Sequence, residues 1–370
     1  MLRIGRLNLL LVLVVLGAWS NALAQEPPPR RDQDQTIKLK ADLVTITAAV
    51  TDSNGLPLRS LKAVDFDVFE DGVRQTIAYF ASGEEPFTLM LLLDISGSTA
   101  DEIMLIKRAA KNFLAELRSG DRAGVIVFSG EVELVADFND SRAKIEAAID
   151  SASTPEGGGG ARFGESTGTS FYESLFLAVE ESPLKQVERR KAIVCMSDGV
   201  DSSSKTRYDE VAKLVERSDA SVYFLELNTE AVTLNRLLKP KSDPDYANLS
   251  QSQVDRYFDA YDADSLDRHR DRRVVPPDLL TKINHGLFEL ARRQEREMAQ
   301  RAGGRVYPVR SLIDLAGVYK QVADDLRAQY SIGYYSRNEA HDGGWRTIRV
   351  EVRGKGKGAS IRACSGYWAK

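Results

Sequence analysis

The middle of the chain alternates between uninterrupted apolar runs and stretches in which apolar residues recur every three or four positions. Residues 87–93, 124–128 and 193–196 are apolar runs without polar alternation, which is typical of strands buried on both faces of a parallel sheet. Between the first two runs, Ile106 and Ala110 belong to a helical stripe. The pattern predicts an α/β fold with a doubly wound, mostly parallel sheet.

The two ends of the chain follow a different pattern, in which apolar and polar residues alternate with a period of two. Near the start, Val44 and Ile46 fall on one face of a predicted strand, and Asp71-Gly72 forms a hairpin turn before a strand over residues 75–80. Three alternating segments near the end are predicted strands: residues 329–335, 345–352 and 359–363. Because so few strands are seldom stable alone, we expect both ends to form one small antiparallel β-sandwich-like domain into which the α/β domain is inserted. Separate hairpins that pack on the α/β domain are the alternative.

The changes of pattern also set the expected domain limits. Residues 25–35 are a leader rich in proline and polar residues, which cannot form a core. The expected folded parts are an N-terminal β module (36–85), an α/β domain (86–328) and C-terminal strands (329–370) that pair with the N-terminal module. The connection that follows residue 228 is about sixty residues longer than a strand-helix-strand connection needs. We therefore expect an insertion at about residues 229–285.

The predicted insertion carries a run of acidic residues and then of basic ones. Its aspartates Asp259, Asp262, Asp264 and Asp267 lack the glycine turn and the terminal glutamate of a helix-loop-helix calcium loop. Arginines follow at once, which favours a solvated segment of mixed charge. A long charged helix is predicted over residues 279–301.

The first 24 residues have the pattern of an export signal. Residues 1–24 begin with Arg3 and Arg6, continue in a short apolar run and end in Ala22-Leu23-Ala24, which predicts cleavage before the next residue. The apolar run is too short for an ordinary membrane span. We expect an exported protein, periplasmic or secreted, without an integral membrane span once the signal is removed.

Composition narrows the choice of partners. The formal net charge is −4, and no basic stripe interleaved with aromatic residues occurs, which argues against a nucleic-acid partner. The chain has only two cysteines, Cys195 and Cys364, and we expect two separate thiols rather than a disulfide scaffold.

Oxygen-bearing side chains follow the predicted buried strands. Asp94, Ser96 and Ser98 lie at alternate positions after the first apolar run, Thr169 precedes a predicted helix, and Asp198 follows another buried strand. Because the carboxyl ends of parallel strands meet at one edge of the sheet, we expect these residues to lie close together. Oxygen donors without sulfur or imidazole favour Mg²⁺, with Mn²⁺ or Ca²⁺ as alternatives. A metal-free network that caps strand and helix ends is the competing interpretation.

The order of these residues resembles a known family. Asp94-Ile95-Ser96-Gly97-Ser98, then Thr169, then Asp198-Gly199 resemble the metal-ion-dependent adhesion site of von Willebrand factor type A domains. The resemblance covers residues 86–328 as a fold, and residues 65–72 and 366–368 are similar to the corresponding regions of secreted bacterial von Willebrand factor A-related proteins.

The resemblance implies a role for each metal-site residue. Ser96, Ser98 and Thr169 would coordinate the ion directly or nearly so, and Asp94 and Asp198 would hold it directly or through water. One coordination position would remain for an outside ligand. An Asp or Glu carboxylate presented by a partner protein is the expected ligand at that position.

No set of residues points to catalysis. His269, His285 and His341 lie outside the predicted core elements of the α/β domain, so the metal-site residues have no histidine for a catalytic triad or a zinc cluster. The glycines at 157–160 lack the Lys-Ser/Thr ending of a phosphate-binding loop. We therefore expect a metal-dependent protein-binding module, for adhesion or assembly, rather than an enzyme. The competing hypothesis is a scaffold of an envelope complex in which the metal only stiffens the loops.

Overall fold

A computed structural model describes residues 43–83, 85–152, 168–187, 190–239, 249–261, 275–354 and 358–369. Several of the predictions above lie outside the described residues: the signal peptide, the leader, the glycine run at 157–160, His269, and the aspartates at 262, 264 and 267. None of the described helices combines the length and the apolar character needed to cross a lipid bilayer.

Within the described residues, the strands and the α-helices have the following bounds. The strands are β1 (Leu43–Thr51), β2 (Phe66–Glu70), β3 (Val73–Gln75), β4 (Ile77–Ala81), β5 (Thr88–Asp94), β6 (Arg122–Phe128), β7 (Val132–Ala136), β8 (Lys191–Ser197), β9 (Ala220–Leu227), β10 (Arg305–Val309), β11 (Gln329–Tyr335), β12 (Trp345–Val352), β13 (Ser360–Ala363) and β14 (Gly366–Trp368). The α-helices are α1 (Ile103–Ala115), α2 (Arg142–Ser151), α3 (Phe171–Phe176), α4 (Tyr208–Glu216), α5 (Glu230–Leu238), α6 (Gln251–Tyr261), α7 (Pro277–Arg301) and α8 (Leu315–Arg327).

The α/β part is built on a six-stranded sheet with the order β10-β9-β8-β5-β6-β7. All neighbouring strands run parallel except β7, which is antiparallel at one edge. Every residue of the central strand β5 is buried, which explains why its sequence lacks polar alternation. Helices α1, α2 and α8 pack on one face, and α3, α4 and the end of α7 pack on the other. The predicted doubly wound α/β fold is confirmed.

Both ends of the chain share two further sheets. One four-stranded sheet has the order β13-β1-β11-β4 and the other has the order β14-β12-β2-β3. Strand β1 pairs antiparallel with β11, from Leu43 opposite Tyr335 to Ala49 opposite Gln329. The facing sides of the two sheets form one apolar core that includes Ile46. The predicted sandwich of N-terminal and C-terminal strands is therefore present.

The strand predicted over residues 75–80 is wrong as a single element. The chain breaks at Thr76, so that β3 pairs with β2 in one sheet and β4 pairs with β11 in the other. The buried Gln75 side chain holds this corner, because its amide donates to the carbonyl of Val73 and accepts from the backbone N–H of Arg337. Residues 73–81 do not alternate regularly between apolar and polar side chains, so periodicity alone could not locate the break. Strand β14 was not predicted as a strand and pairs with β12.

Two chain crossings, at residues 82–87 and 327–329, connect the sandwich to the α/β part, and we call them the neck. Buried Arg190 ties them together by donating to the carbonyl of Glu85, at 3.1 Å, and to Gln329 Oε1, at 3.3 Å. The Gln329 amide donates to the Tyr223 hydroxyl at 2.7 Å. The crossings approach so closely that a Cβ at Gly83 would lie 1.8 Å from the carbonyl oxygen of Arg327, so only glycine fits there.

The predicted insertion contributes helices that have their own core. Helix α5 follows β9, and helices α6 and α7 enclose a small apolar cluster that includes Phe258, Ile283 and Leu287. The long helix predicted over residues 279–301 is confirmed as α7. Val200, which follows strand β8, packs against this cluster, so the insertion contacts the carboxyl edge of the central sheet.

Candidate metal centre

The predicted metal ligands lie at the carboxyl edge of two neighbouring strands. Asp94 is the last residue of β5, and Asp198 follows the last residue of β8, which is paired in parallel with β5. Both carboxylates are buried, and so is Ser96. Ser98 lies in a 3₁₀ segment, Gly97–Glu102, that leads into α1. The sheet therefore brings together residues that are about a hundred positions apart in the sequence.

Hydrogen bonds join three of the five predicted ligands, and the Asp198 carboxylate lies beside them. The backbone N–H of Ser96 donates to Asp94 Oδ1 at 2.9 Å, and the hydroxyls of Ser96 and Ser98 lie 3.1 Å apart. The Ser98 hydroxyl also lies close enough to the Asp198 carboxylate to oppose the rise in the pKa of that group. Two carboxylates and two hydroxyls thus face one another at this edge of the sheet.

Thr169 reaches the same edge through another loop. Its N–H donates to Ser202 Oγ at 2.8 Å, and its carbonyl accepts from the N–H groups of Ser202 and Ser203 at 2.9 and 3.2 Å. These hydrogen bonds hold Thr169 against the loop that follows Asp198. Thr169 forms no hydrogen bond with the other four predicted ligands. Among the described residues the Thr169 hydroxyl has no hydrogen-bond partner, which leaves its oxygen available to an ion.

Three supporting residues were not predicted from the sequence. Ser197 Oγ donates to Asp94 Oδ2 at 2.6 Å, and Thr229 Oγ1 donates to Asp198 Oδ2 at 2.5 Å. The buried Thr99 hydroxyl donates to the carbonyl of Asp94 at 3.0 Å and fixes the turn after β5. Ser197 and Thr229 each lie at or just after the carboxyl end of a parallel strand, so their position at the strand ends was a usable signal.

Burial makes the two aspartates costly in their charged form. Burial and then the neighbouring Asp198 raise the pKa of Asp94 to about 7. Burial also raises the pKa of Asp198, although hydrogen bonds from Thr229, Val200 and Ser98 oppose the rise. Within the described part of the chain, no lysine or arginine forms an ion pair with either carboxylate. A bound cation would neutralise the two carboxylates, which no ion pair does among these residues.

The donor set fits a hard divalent cation. Its atoms are carboxylate and hydroxyl oxygens, which Mg²⁺ prefers over sulfur or imidazole. No group of three or more His, Cys, Asp or Glu side chains that could hold a metal occurs among the described residues. A metal site at this edge would combine two carboxylates, Asp94 and Asp198, with hydroxyls. The residues that would hold the ion are Asp94, Ser96, Ser98, Thr169 and Asp198.

A third buried carboxyl lies behind Asp198. Glu295 of α7 is 1% exposed, and neither of its oxygens has a hydrogen-bond partner among the described residues. Burial, with Glu226 and Asp198 nearby, raises the pKa of Glu295 well above its ordinary value, which favours the neutral form. A Cβ at Gly199 would lie 2.7 Å from Glu295 Oε1, and Gly199 has a φ of +72°, so glycine is required after Asp198.

These pKa shifts predict how the metal-free protein responds to pH. Native Asp94 keeps its proton up to about pH 7, whereas the same group in the unfolded chain loses it near its ordinary pKa of 3.8. The native state therefore binds more protons between these values, and stability falls as the pH rises from about 4 to 7. A shift of this size corresponds to roughly 4 kcal/mol.

We expect thermal melting in chelator to give a temperature that falls by several degrees between pH 5 and pH 8. The fall should be much smaller with saturating Mg²⁺, since the ion favours the charged carboxylates. In Asp94→Asn the chelated protein should show a smaller fall than the wild type, and the remaining fall comes from Asp198 and Glu295, whose pKa values are also raised. An equal fall in Asp94→Asn and in the wild type would contradict the prediction.

Comparison with known proteins supports the class of the central domain. Residues 89–200 match the family model described as the von Willebrand factor type A domain, which covers both aspartates and Thr169. Together with the six-stranded sheet, the match shows that the chain contains a domain with the von Willebrand factor A fold. A comparison with curated proteins found no match.

Several solved structures resemble the chain at low sequence identity. Proximal thread matrix protein 1 from the mussel byssus is 12% identical with a TM-score of 0.41, over 74% of this chain and 51% of that chain. The chain therefore spans about half the length of that protein, which has also been solved with a zinc-occupied MIDAS motif. BatB from Bacteroides thetaiotaomicron is 19% identical with a TM-score of 0.40, over 65% of this chain and 98% of that chain. A von Willebrand factor type A protein from Catenulispora acidiphila is 11% identical with a TM-score of 0.40, over 89% and 74% of the two chains. Likenesses this distant carry no inference about function.

Proposed function

We propose that the protein is an exported binding module that captures a partner protein through a divalent cation, with Mg²⁺ favoured and Mn²⁺ or Ca²⁺ as alternatives. The observation that carries the proposal is the pair of buried aspartates, Asp94 and Asp198, which face hydroxyl oxygens and have no basic partner among the described residues. Burial of two charged carboxylates destabilises the fold without a cation, and a bound cation offsets this cost.

The protein's residues would divide the work as follows. Asp94 and Asp198 supply negative charge, and Ser96, Ser98 and Thr169 supply neutral oxygens. With few charged donors, a bound Mg²⁺ retains its attraction for one more anionic oxygen. Ser197 and Thr229 hold the two carboxylates in orientation through their hydroxyl groups.

An Asp or Glu side chain of a partner protein is the ligand we propose. A carboxylate oxygen is hard and anionic, so it suits the remaining coordination position of such an ion. The proposal of export rests on residues 1–24, whose basic, apolar and small-residue order is that of a signal peptide.

We also propose that the module binds its ligand without chemical conversion. The described histidine that lies nearest in sequence to the site-bearing segments, His285, is exposed and pairs with Glu230 at 2.8 Å. Burial raises the pKa of the Glu295 carboxyl well above its ordinary value, and the neutral form cannot take a proton from water. General-base catalysis requires a proton acceptor within hydrogen-bond reach of the reacting atom.

The test combines ion titration with capture of a partner. The mature chain is titrated with Mg²⁺ and Mn²⁺ by calorimetry, and proteins retained from an envelope extract are compared with and without chelator. We expect saturable uptake of one ion and a retained protein that chelator releases. If no ion binds, or if the same proteins are retained in chelator, the binding proposal is wrong and the scaffold hypothesis takes its place.

A further inference from the structure

Helix α5 lies against both aspartate-bearing loops although it belongs to the predicted insertion. At its start, Thr229 donates to Asp198 Oδ2 at 2.5 Å. Two turns later, the guanidinium of Arg236 donates to the carbonyl of Gly97, the residue between Ser96 and Ser98. One helix therefore touches the two strand ends from which the candidate ligands come.

The contacts fall on one face of α5. Positions 229, 233 and 236 are four and three residues apart, which places them along the same side of a helix. The N–H of Thr233 donates to the Thr229 carbonyl at 2.8 Å, so the helical path begins at Thr229. The buried Thr233 hydroxyl has no hydrogen-bond partner among the described residues. The face that borders the metal loops thus carries an unsatisfied polar atom between two residues that contact those loops.

Other parts of the insertion hold the segment at residues 201–202, which follows Asp198 and contacts Thr169. Ser250, just before α6, donates through its hydroxyl to the carbonyl of Ser202, at 2.8 Å, and Ser202 in turn accepts from the Thr169 N–H. Arg256 of α6 forms an ion pair with the buried Asp201. The insertion is therefore packed against the site, and α5 is the part that reaches the Ser96–Ser98 turn.

We propose that Arg236 is a specificity-determining residue that binds the second oxygen of the carboxylate whose first oxygen binds the cation. This inference rests on the proposed function and names its ligand more closely, as an anion with two oxygens in one plane. A guanidinium presents planar N–H donors that match a carboxylate in a paired geometry. A neutral oxygen ligand, such as a hydroxyl or an amide, would gain much less from this neighbour.

The same charge has an opposite effect on the ion. The contact with Gly97 holds the Arg236 guanidinium next to two candidate ligands, Ser96 and Ser98. Its positive charge therefore opposes the binding of a divalent cation. Removal of the guanidinium should therefore strengthen ion binding and weaken carboxylate binding. A residue with a merely structural role would not change the two affinities in opposite directions.

The experiment uses the full mature chain with Mn²⁺ and acetate as probes. Mn²⁺ binding is measured by calorimetry, and acetate binding to the Mn²⁺-loaded protein is measured from the broadening of the acetate methyl resonance. For Arg236→Ala we expect Mn²⁺ to bind about threefold more tightly, and acetate about tenfold more weakly, which is the loss of one charge-assisted hydrogen bond. Arg236→Lys keeps the charge and should retain the wild-type affinity for Mn²⁺. Its affinity for acetate should lie between those of the wild type and Arg236→Ala.

Arg142→Ala is the matched control. Arg142 is exposed at the start of α2. Helix α2 follows β7, which is antiparallel and so ends at the edge of the sheet opposite the candidate metal site. Its loss should leave both affinities unchanged, and melting curves should show that all variants are folded. If Mn²⁺ binds but acetate affinity is the same in Arg236→Ala and the wild type, the role of Arg236 is refuted while the proposed function stands. If the wild type takes up no Mn²⁺, the proposed function itself fails.

Discussion

Asp198→Asn is expected to abolish Mg²⁺ uptake and partner capture while it raises the melting temperature of the metal-free protein by several degrees. In the native state the Asp198 carboxylate is buried beside Asp94, and burial raises the pKa of both groups. The neutral amide keeps the shape and can still accept from the N–H of Val200. It removes the charge that repels Asp94, so the metal-free fold gains stability as the ion site is lost.

Calorimetry with Mg²⁺ and melting curves in chelator measure the two effects on one preparation. Asp209→Asn is the control, because Asp209 is an exposed residue of α4 that pairs only with Arg207 among the described residues. It should change neither the Mg²⁺ isotherm nor the melting temperature by a measurable amount. Thr169→Ala should weaken Mg²⁺ binding without abolishing it, since it removes one neutral oxygen. Unchanged Mg²⁺ affinity in Asp198→Asn would refute the site.

Deletion of residues 329–370 is expected to unfold the N-terminal strands and to cause aggregation. The deletion removes β11 and β12, and each of these is an interior strand of its sheet. Strands β1 and β4 then lose the strand between them, and the apolar side of β1, which includes Ile46 and Val50, loses its cover. Exposed strand edges next to an apolar face favour pairing between chains.

Size-exclusion chromatography and limited proteolysis compare three proteins: the mature chain, residues 36–328, and residues 86–328. The mature chain should elute as a discrete species, and residues 36–328 should elute as aggregates with rapid cleavage between residues 43 and 81. Residues 86–328 carry the complete six-stranded sheet and lose only contacts of the neck. This fragment should remain folded. A soluble 36–328 fragment that resists protease over residues 43–81 would show that the sandwich does not depend on the C-terminal strands.

The sequence predicted those parts of the site that depend on strand ends. Asp94 and Asp198 follow apolar runs, and parallel strands bring such positions to one edge regardless of their separation along the chain. Arg236 and Thr229 could not be placed in the same way, because the packing of α5 depends on tertiary contacts of an insertion. The crossing between sheets at Thr76 could not be located from the sequence, because residues 73–81 lack a regular alternation that would assign each half to a sheet.

The neck decides how the molecule would bear a mechanical load. A partner that pulls at Asp94 would apply tension along β5, which runs from the neck to the carboxyl edge of the sheet. Arg190 donates to Glu85 and to Gln329, one in each crossing, so the tension is shared between two chain segments. Leu43 and Gln329 lie at opposite ends of the β1–β11 pair, so a pull between them would act along the strands. The hydrogen bonds between β1 and β11 are perpendicular to the strands. They would therefore be loaded together in shear rather than opened one after another.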